Sequence, residues 1–183
     1  DPYQPIERKL QITRKLLDVF QRYKHPVTVI TKSAMIERDI DILTDLAKHN
    51  LVQVALSVTT LDRELCRRLE PRATAPQRRL QAIHRLTDNG IPVTLLFAPV
   101  IPALNDNEIE SVLDATYEAG IRSAAYVMLR LPHEVKVLFQ EWLQAHYPMK
   151  AKHIMNIIRD MRGGKEYDSG FGTRQVGQGA YAE

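Results

Sequence analysis

Cysteine is nearly absent: Cys66 stands alone in a chain of 183 residues. No internal disulfide can form, and no cysteine metal motif exists. A reducing cytoplasm is the default compartment for such usage. Long apolar runs are missing too, and none approaches the roughly 18 residues of a membrane span. No signal peptide opens the chain, which begins Asp1-Pro2-Tyr3 without a Met. The charge is close to balanced, with 25 Lys and Arg against 22 Asp and Glu. A net charge of +3 is no nucleic-acid footprint by itself. No Gly-x-Gly-x-x-Gly follows a strand, and there is no Walker lysine loop. The histidines (His25, His49, His84, His133, His146 and His153) are scattered, and none pairs as His-Glu-x-x-His. The sequence therefore offers no metal ligand set and singles out no catalytic residue.

What is present is an ordinary soluble composition, 44% apolar and 26% charged. Its order is helix, strand, helix, strand. Ile6, Leu10, Thr13, Leu17 and Phe20 recur at helical spacing, which predicts one helix over 4–23. Pro26 to Thr31 reads as a short strand rich in β-branched residues. A second helix carries Ile36, Ile40, Leu43, Leu46 and Ala47 on one face. Leu51 to Val58 is a near-continuous apolar strand of the kind that parallel sheets cover on both sides. Leu61 to Leu69 predicts a short basic helix, which Pro71 ends by biasing Glu70 away from helical angles. Thr74 and Gln77 have the spacing of a capping box for a helix through Asn89, with Leu80, Ile83 and Leu86 as its stripe and Gly90 as its stop. The cycle repeats with a strand over 91–99. A helix follows, opened by Asn105 and Glu108, with Ile109, Val112, Leu113 and Tyr117 on its face. Then comes a strand over 121–129.

Crossovers of this length place successive strands side by side and parallel. Four strands, starting near Val27, Leu51, Ile91 and Ile121, cannot close a barrel, and an eight-unit barrel needs about 250 residues. An open sheet or part of a barrel is the fitting α/β architecture. The expected organisation is a partial barrel over 1–131, a helical segment over 132–162 and a glycine-rich tail over 163–183. The helical segment begins with a helix that turns Val135, Leu138, Phe139, Trp142 and Leu143 inward. The tail is either an ordered loop or a mobile one.

In parallel α/β folds, ligands meet the carboxyl ends of the strands. Those ends carry Thr31-Lys32-Ser33, Ser57-Val58-Thr59-Thr60, Ala98 through Asn105, and Arg130-Leu131-Pro132. Hydroxyls and a lysine on one rim suit a polar or anionic ligand. Helix capping is the plainer account of Thr31, Ser33, Thr59 and Thr60. Arg72, after the break at Pro71, could clamp a carboxylate, or equally serve as a surface cation or a partner of Glu70. Arg67, Arg68, Arg78, Arg79 and Arg85 read as polar-face residues. Cys66, in a helical stretch, reads as a small buried or half-buried side chain.

Several segments together resemble the radical SAM proteins of the spore-photoproduct-lyase-like group. They are Asp1-Pro2-Tyr3-Gln4-Pro5-Ile6-Glu7, Thr31-Lys32-Ser33, Arg38-Asp39, Ser57-Val58-Thr59-Thr60, Leu69-Glu70-Pro71-Arg72-Ala73, and Ala98-Pro99-Val100-Ile101-Pro102-Ala103-Leu104-Asn105-Asp106. The glycine-rich stretch from Arg162 through Tyr181 also looks like that group's C-terminal region. The resemblance implies a (β/α)6 partial barrel, of which four units are present here. It implies a three-cysteine loop holding a 4Fe-4S cluster, fed by an external electron donor. The cluster's open iron binds S-adenosylmethionine and cleaves it to a 5′-deoxyadenosyl radical that abstracts hydrogen from a substrate. The three-cysteine loop is absent, and Cys66 is not its remnant. The expectation is that two strand units lie upstream of this chain, and that the chain alone neither assembles the cluster nor turns over.

Carried over by resemblance, Asp1 approaches the methionyl amino group. Lys32, Ser33, Ser57 and Thr59 contact the nucleoside or the substrate. Arg72 meets the SAM carboxylate, the loop to Asn105 approaches adenine and ribose, and Arg130 faces the substrate. The substrate stays open, and a nucleic acid has little support from charge. Two other readings compete. One is a non-redox barrel enzyme that binds phosphate or carboxylate at the same rim. The other is a non-catalytic interaction module. An exposed sheet edge would favour self-association.

Overall fold

The computed structural model describes residues 1–170, 172 and 174–182. Its four strands are β1 (Val27–Thr31), β2 (Val52–Ser57), β3 (Val93–Val100) and β4 (Ala124–Met128), and they form one sheet in the order β1-β2-β3-β4. The pairing is parallel, with Val27 opposite Val52 and Val54 opposite Val93. Leu95 N–H donates to the Ser123 carbonyl at 3.0 Å, and Leu129 N–H to the Val100 carbonyl at 2.9 Å, which joins β3 to β4. Helices alternate with the strands, as expected of part of a (β/α) barrel. They are α1 (Glu7–Leu10), α2 (Ile12–Arg22), α3 (Ile40–Lys48), α4 (Arg63–Leu69), α5 (Pro76–Asp88) and α6 (Ile109–Glu118). Two further helices follow β4: α7 (Val135–His146) and α8 (Pro148–Asp160). Among the described residues, no helix is long and apolar enough to cross a membrane.

The chain divides into two compact units, Asp1–Leu96 with Glu110–Ala125, and Phe97–Ile109 with Tyr126–Glu183. In the first unit, fully buried Leu43, Val54, Leu56, Ile83, Leu86 and Leu95 pack between the sheet and the helices. In the second, Leu131, Leu143, Ile154 and Ile158 are equally enclosed.

Several sequence-based expectations are corrected. The predicted first helix is two helices, because Gln11 takes a left-handed φ of 52°. Glu7 explains the break: its carboxylate accepts from the N–H groups of Ile12 at 3.0 Å and Thr13 at 2.8 Å, which caps the start of α2. Ile6 and Leu10, expected inward, are exposed, whereas Leu17 is buried. The capping box at Thr74 and Gln77 does not form, since α5 starts at Pro76. Thr74 Oγ1 instead accepts from Ala34 N–H at 3.2 Å. On α6, Val112 is buried but Leu113 and Tyr117 are exposed. On α7, only Leu143 of the expected inward set is buried, while Val135 and Leu138 are exposed. Among the described residues beyond Gly163, backbone bonds tie the tail at several points, such as Met128 N–H to the Gln175 carbonyl at 2.8 Å.

These burials predict that Leu56→Ala lowers stability by about 2–5 kcal/mol. Leu138→Ala should stay within about 0.5 kcal/mol of wild type. Urea denaturation of both variants checks this, and equal losses would contradict the outward placement of Leu138.

Candidate functional site

The exits of β1 and β2 bring together most of the rim residues that belong to the first unit. The Asp1 carboxylate accepts from Thr31 Oγ1 at 2.7 Å and from Lys32 N–H at 2.8 Å, so the N-terminal segment is fastened to the end of β1. A second network holds this segment from behind. Asp39 is fully buried and accepts from Tyr3 Oη at 3.0 Å, Arg14 at 3.0 Å and both Arg38 Nε and Nη2 at 2.8 Å. Arg38 also pairs with Glu7 at 3.1 Å. Burial and the neighbouring Asp39 carboxylate push the Tyr3 phenol far above its ordinary range. Arg38-Asp39, which the resemblance quoted without a role, is thus the anchor of Asp1-Pro2-Tyr3.

Lys32 lies half-buried at the same exit, and its ammonium pairs with Glu70. The other oxygen of Glu70 accepts from Arg79 Nη2 at 2.6 Å. Arg79 is itself only 1% exposed. Its remaining donors go to the Ser57 carbonyl at 2.9 Å and the Thr74 carbonyl at 2.6 Å. One acid therefore links the β1 exit, the turn after α4, the helix α5 and the β2 exit. Burial alone would raise the Glu70 carboxyl, but the Lys32 and Arg79 charges and their hydrogen bonds hold it below the ordinary glutamate value.

Arg79 corrects the sequence reading, which placed it on a polar face. The clue was available: residues 79, 82, 83 and 86 share one helical stripe, so an arginine at 79 lies among Ala82, Ile83 and Leu86. A buried arginine needs an acid, and Glu70, nine residues earlier, supplies it. Glu70 itself was named only as a conceivable partner of Arg72. Arg72 is exposed and makes no side-chain hydrogen bond among the described residues.

The hydroxyls divide between capping and enclosure. Ser33 Oγ accepts from Met35 N–H at 3.2 Å and Thr60 Oγ1 from Asp62 N–H at 3.0 Å, both ordinary turn closures. Ser57 and Thr59 are buried at the β2 exit. Cys66 is buried in α4, beside Arg79 at 3.8 Å, and burial pushes its thiol up. Among the described residues, no group of three His, Cys, Asp or Glu side chains could hold a metal ion.

In the second unit, Asn105 is fully buried and braces its own loop. Its Oδ1 accepts from Ile101 N–H at 2.7 Å, and its Nδ2 donates to the Pro99 carbonyl at 3.0 Å. Arg130, leaving β4, is half-buried and donates to Tyr167 Oη at 3.2 Å.

Comparison with known proteins gives one family. The model of the Radical SAM superfamily matches residues 1–116. An uncharacterized protein of Mycobacterium tuberculosis is 27% identical over 161 residues, which cover 87% of this chain and 47% of that protein. An uncharacterized protein of Methanocaldococcus jannaschii is 26% identical over 157 residues, covering 85% of this chain and 57% of the relative. One from Acidianus two-tailed virus is 28% identical over 102 residues, covering 56% and 33%. The chain thus spans about half the length of the first two. No solved structure gives a significant match.

The depressed Glu70 carboxyl carries a pH prediction. A folded value below the ordinary 4.5 contributes stability that is complete above that value and is lost as pH falls through the folded one. Glu70→Gln should therefore be less stable at neutral pH, and its stability should fall less steeply than wild type between about pH 5 and 3. Arg79→Met should cost about 3–5 kcal/mol at pH 7, because it strips a buried carboxylate of one partner. Urea midpoints across pH test both, and parallel pH curves for wild type and Glu70→Gln would refute the assignment.

Proposed function

Because the chain belongs to the radical SAM superfamily, we propose that it forms four units of a six-unit barrel in a radical SAM enzyme of the spore-photoproduct-lyase-like group. The relatives, of whose length the matched region covers about half, leave room for the two further units and their three-cysteine loop. The cluster does not fit this chain's own residues. Cys66 is the sole cysteine, it is buried, and its thiol is held protonated. The cluster's ligands and the contact with an electron donor belong to the part of the protein this chain does not span.

The residues do fit S-adenosylmethionine. The supporting observation is the pairing of one acid and one amine at a single strand exit: Asp1 bonded to the Lys32 backbone, with the Lys32 side chain tethered to Glu70. A carboxylate beside an ammonium suits a zwitterionic amino-acid group. Asp1 accepts from the amino group, and Lys32 donates to the carboxylate while Glu70 and Arg79 fix its position. Arg72, exposed in the adjoining turn, is the second cation for that carboxylate. Ser33, Ser57 and Thr59 serve the nucleoside with hydroxyls, and the loop that Asn105 braces approaches adenine and ribose. Arg130 faces the substrate. When bound to a reduced cluster, S-adenosylmethionine supplies the hydrogen-abstracting chemistry.

The test uses the complete protein after anaerobic iron reconstitution. S-adenosylmethionine should bind, and Lys32→Ala and Asp1→Asn should each weaken binding about 10-fold or more by calorimetry. Failure of the complete protein to take up iron, or unchanged affinity in both variants, would sink the reading. β1 is an outer strand and Ile30 on it is 53% exposed. The 183-residue chain alone should therefore self-associate. Light scattering that shows a monomer at every concentration would count against an edge that other units cover.

A further inference from the structure

We propose that Thr31 is a positioning residue of the rim: its hydroxyl aims the one open acceptor of Asp1, and so sets how tightly the site holds a ligand's primary ammonium group. The role rests on the reading of Asp1 as the acceptor of an amino group, and it deepens that reading by naming what orients the carboxylate.

The Asp1 carboxylate can be counted oxygen by oxygen. A carboxylate offers about four acceptor positions, two on each oxygen. Oδ1 accepts from Tyr3 N–H at 2.9 Å and from Thr31 Oγ1 at 2.7 Å, which takes both of its positions. Oδ2 accepts from Lys32 N–H at 2.8 Å. Among the described residues, one position on Oδ2 is left. An ammonium group that meets Asp1 meets it there, in a direction set by whatever fixes the carboxylate's rotation. The Tyr3 N–H belongs to Asp1's own turn. Thr31 and Lys32 belong to the end of β1, and together they hold one oxygen each. Without the Thr31 hydroxyl, the carboxylate is free to swing about its bond to Lys32.

Thr31 is only 2% exposed, opposite Leu56 on β2 and on the same face of β1 as buried Val29. A valine of the same shape would suit that stripe, and a buried hydroxyl is costly unless it is bonded. Its oxygen accepts from Ser33 N–H at 2.9 Å, an ordinary threonine turn closure. That closure uses an acceptor and leaves the hydroxyl proton unassigned. The proton goes to a carboxylate 30 residues away in sequence, in a short, charge-assisted bond. Ser33 N–H, the hydroxyl and Asp1 thus form a chain in which each bond strengthens the next.

The N-terminal segment does not need Thr31 to stay in place. Tyr3 Oη donates to buried Asp39 at 3.0 Å, and Thr13 Oγ1 donates to the Pro2 carbonyl at 2.9 Å. The main chain of the segment is fastened by these bonds, so the contribution left to Thr31 is the orientation of one carboxylate.

Calorimetry with S-adenosylmethionine on the complete, iron-reconstituted protein tests the role, with circular dichroism as a fold check. Thr31→Val keeps the shape and removes the proton, and should weaken binding about 10-fold. Thr31→Ser keeps the hydroxyl and should stay within about 2-fold of wild type. In an Asp1→Asn background, Thr31→Val should add less than about 2-fold, because its effect travels through that carboxylate. Decarboxylated S-adenosylmethionine, which retains the amino group, should lose the same factor as the parent ligand. Before any ligand is added, the Lys32 amide should exchange its hydrogen faster in Thr31→Val than in wild type. Equal affinity of wild type and Thr31→Val, or a loss that persists undiminished in the Asp1→Asn background, overturns the role. A Lys32 amide that exchanges at the wild-type rate in Thr31→Val overturns it without reference to any ligand. Wild-type protein that binds no S-adenosylmethionine sinks the amino-group reading instead, and the two failures are thereby told apart.

Discussion

A single carboxylate, Glu70, sits where four pieces of chain meet, and its two oxygens divide between two cations of different kinds. One goes to Arg79, which is almost wholly buried and whose other donors hold the carbonyls of Ser57 and Thr74. The other goes to Lys32, half-buried at the end of β1. A buried arginine with every guanidinium nitrogen hydrogen-bonded behaves as scaffold, since moving it would strand several partners at once. A lysine is a compact charge on a flexible four-carbon stem, which can reorient more easily than a buried guanidinium. The asymmetry of one acid gives the rim a fixed side and a responsive side, and the order of the first unit's strand exits depends on it.

The same division runs through the other arginines. Arg38 is consumed by Asp39 and Glu7, and Arg14 by Asp39 and Asp41. Their work is to hold the N-terminal segment, and through it Asp1, against the β1 exit. Arg78 pairs with Glu37 on the helical layer. Arg72 and Arg130 differ from these: the first is exposed in a turn, and the second has a buried donor with no partner among the described residues. Charge count treats all of them alike. Only the partner list separates cations that hold the fold from cations with capacity to hold something else.

Much of the architecture was legible in the sequence because it rests on short-range signals. Four apolar strands alternating with amphipathic helices and glycine stops at Gly90 and Gly120 allow little besides a parallel sheet. Gly120 shows why such a stop is strict, for a Cβ there would lie 2.5 Å from Thr87 Oγ1. Three misreadings turn on where a polar side chain finds its partner. The helix break at Gln11 depends on Glu7 turning its carboxylate to the next helix's N–H groups rather than continuing the stripe. Arg79 was misread because polarity was taken to mean exposure, although its stripe-mates were apolar. Thr74 looked like a cap, yet its hydroxyl serves Ala34, forty residues away.

The apolar stripes of α6 and α7 misled for a different reason. Leu113, Tyr117, Val135 and Leu138 follow helical spacing, and the pattern promised burial, but these side chains are exposed. Periodicity reports that a face is apolar and says nothing of which surface covers it. The matched region covers only about half of the relatives' length. The same logic governs the chemistry. The rim residues proposed to meet an amino acid's two charged groups are in this chain, whereas its only cysteine is buried beside Arg79. The proposed function thereby places binding surface and redox ligands on different stretches of one polypeptide. Such a division is physically reasonable in a barrel, because each strand–helix unit delivers its own exit loop to the common rim and need not carry the ligands of its neighbours.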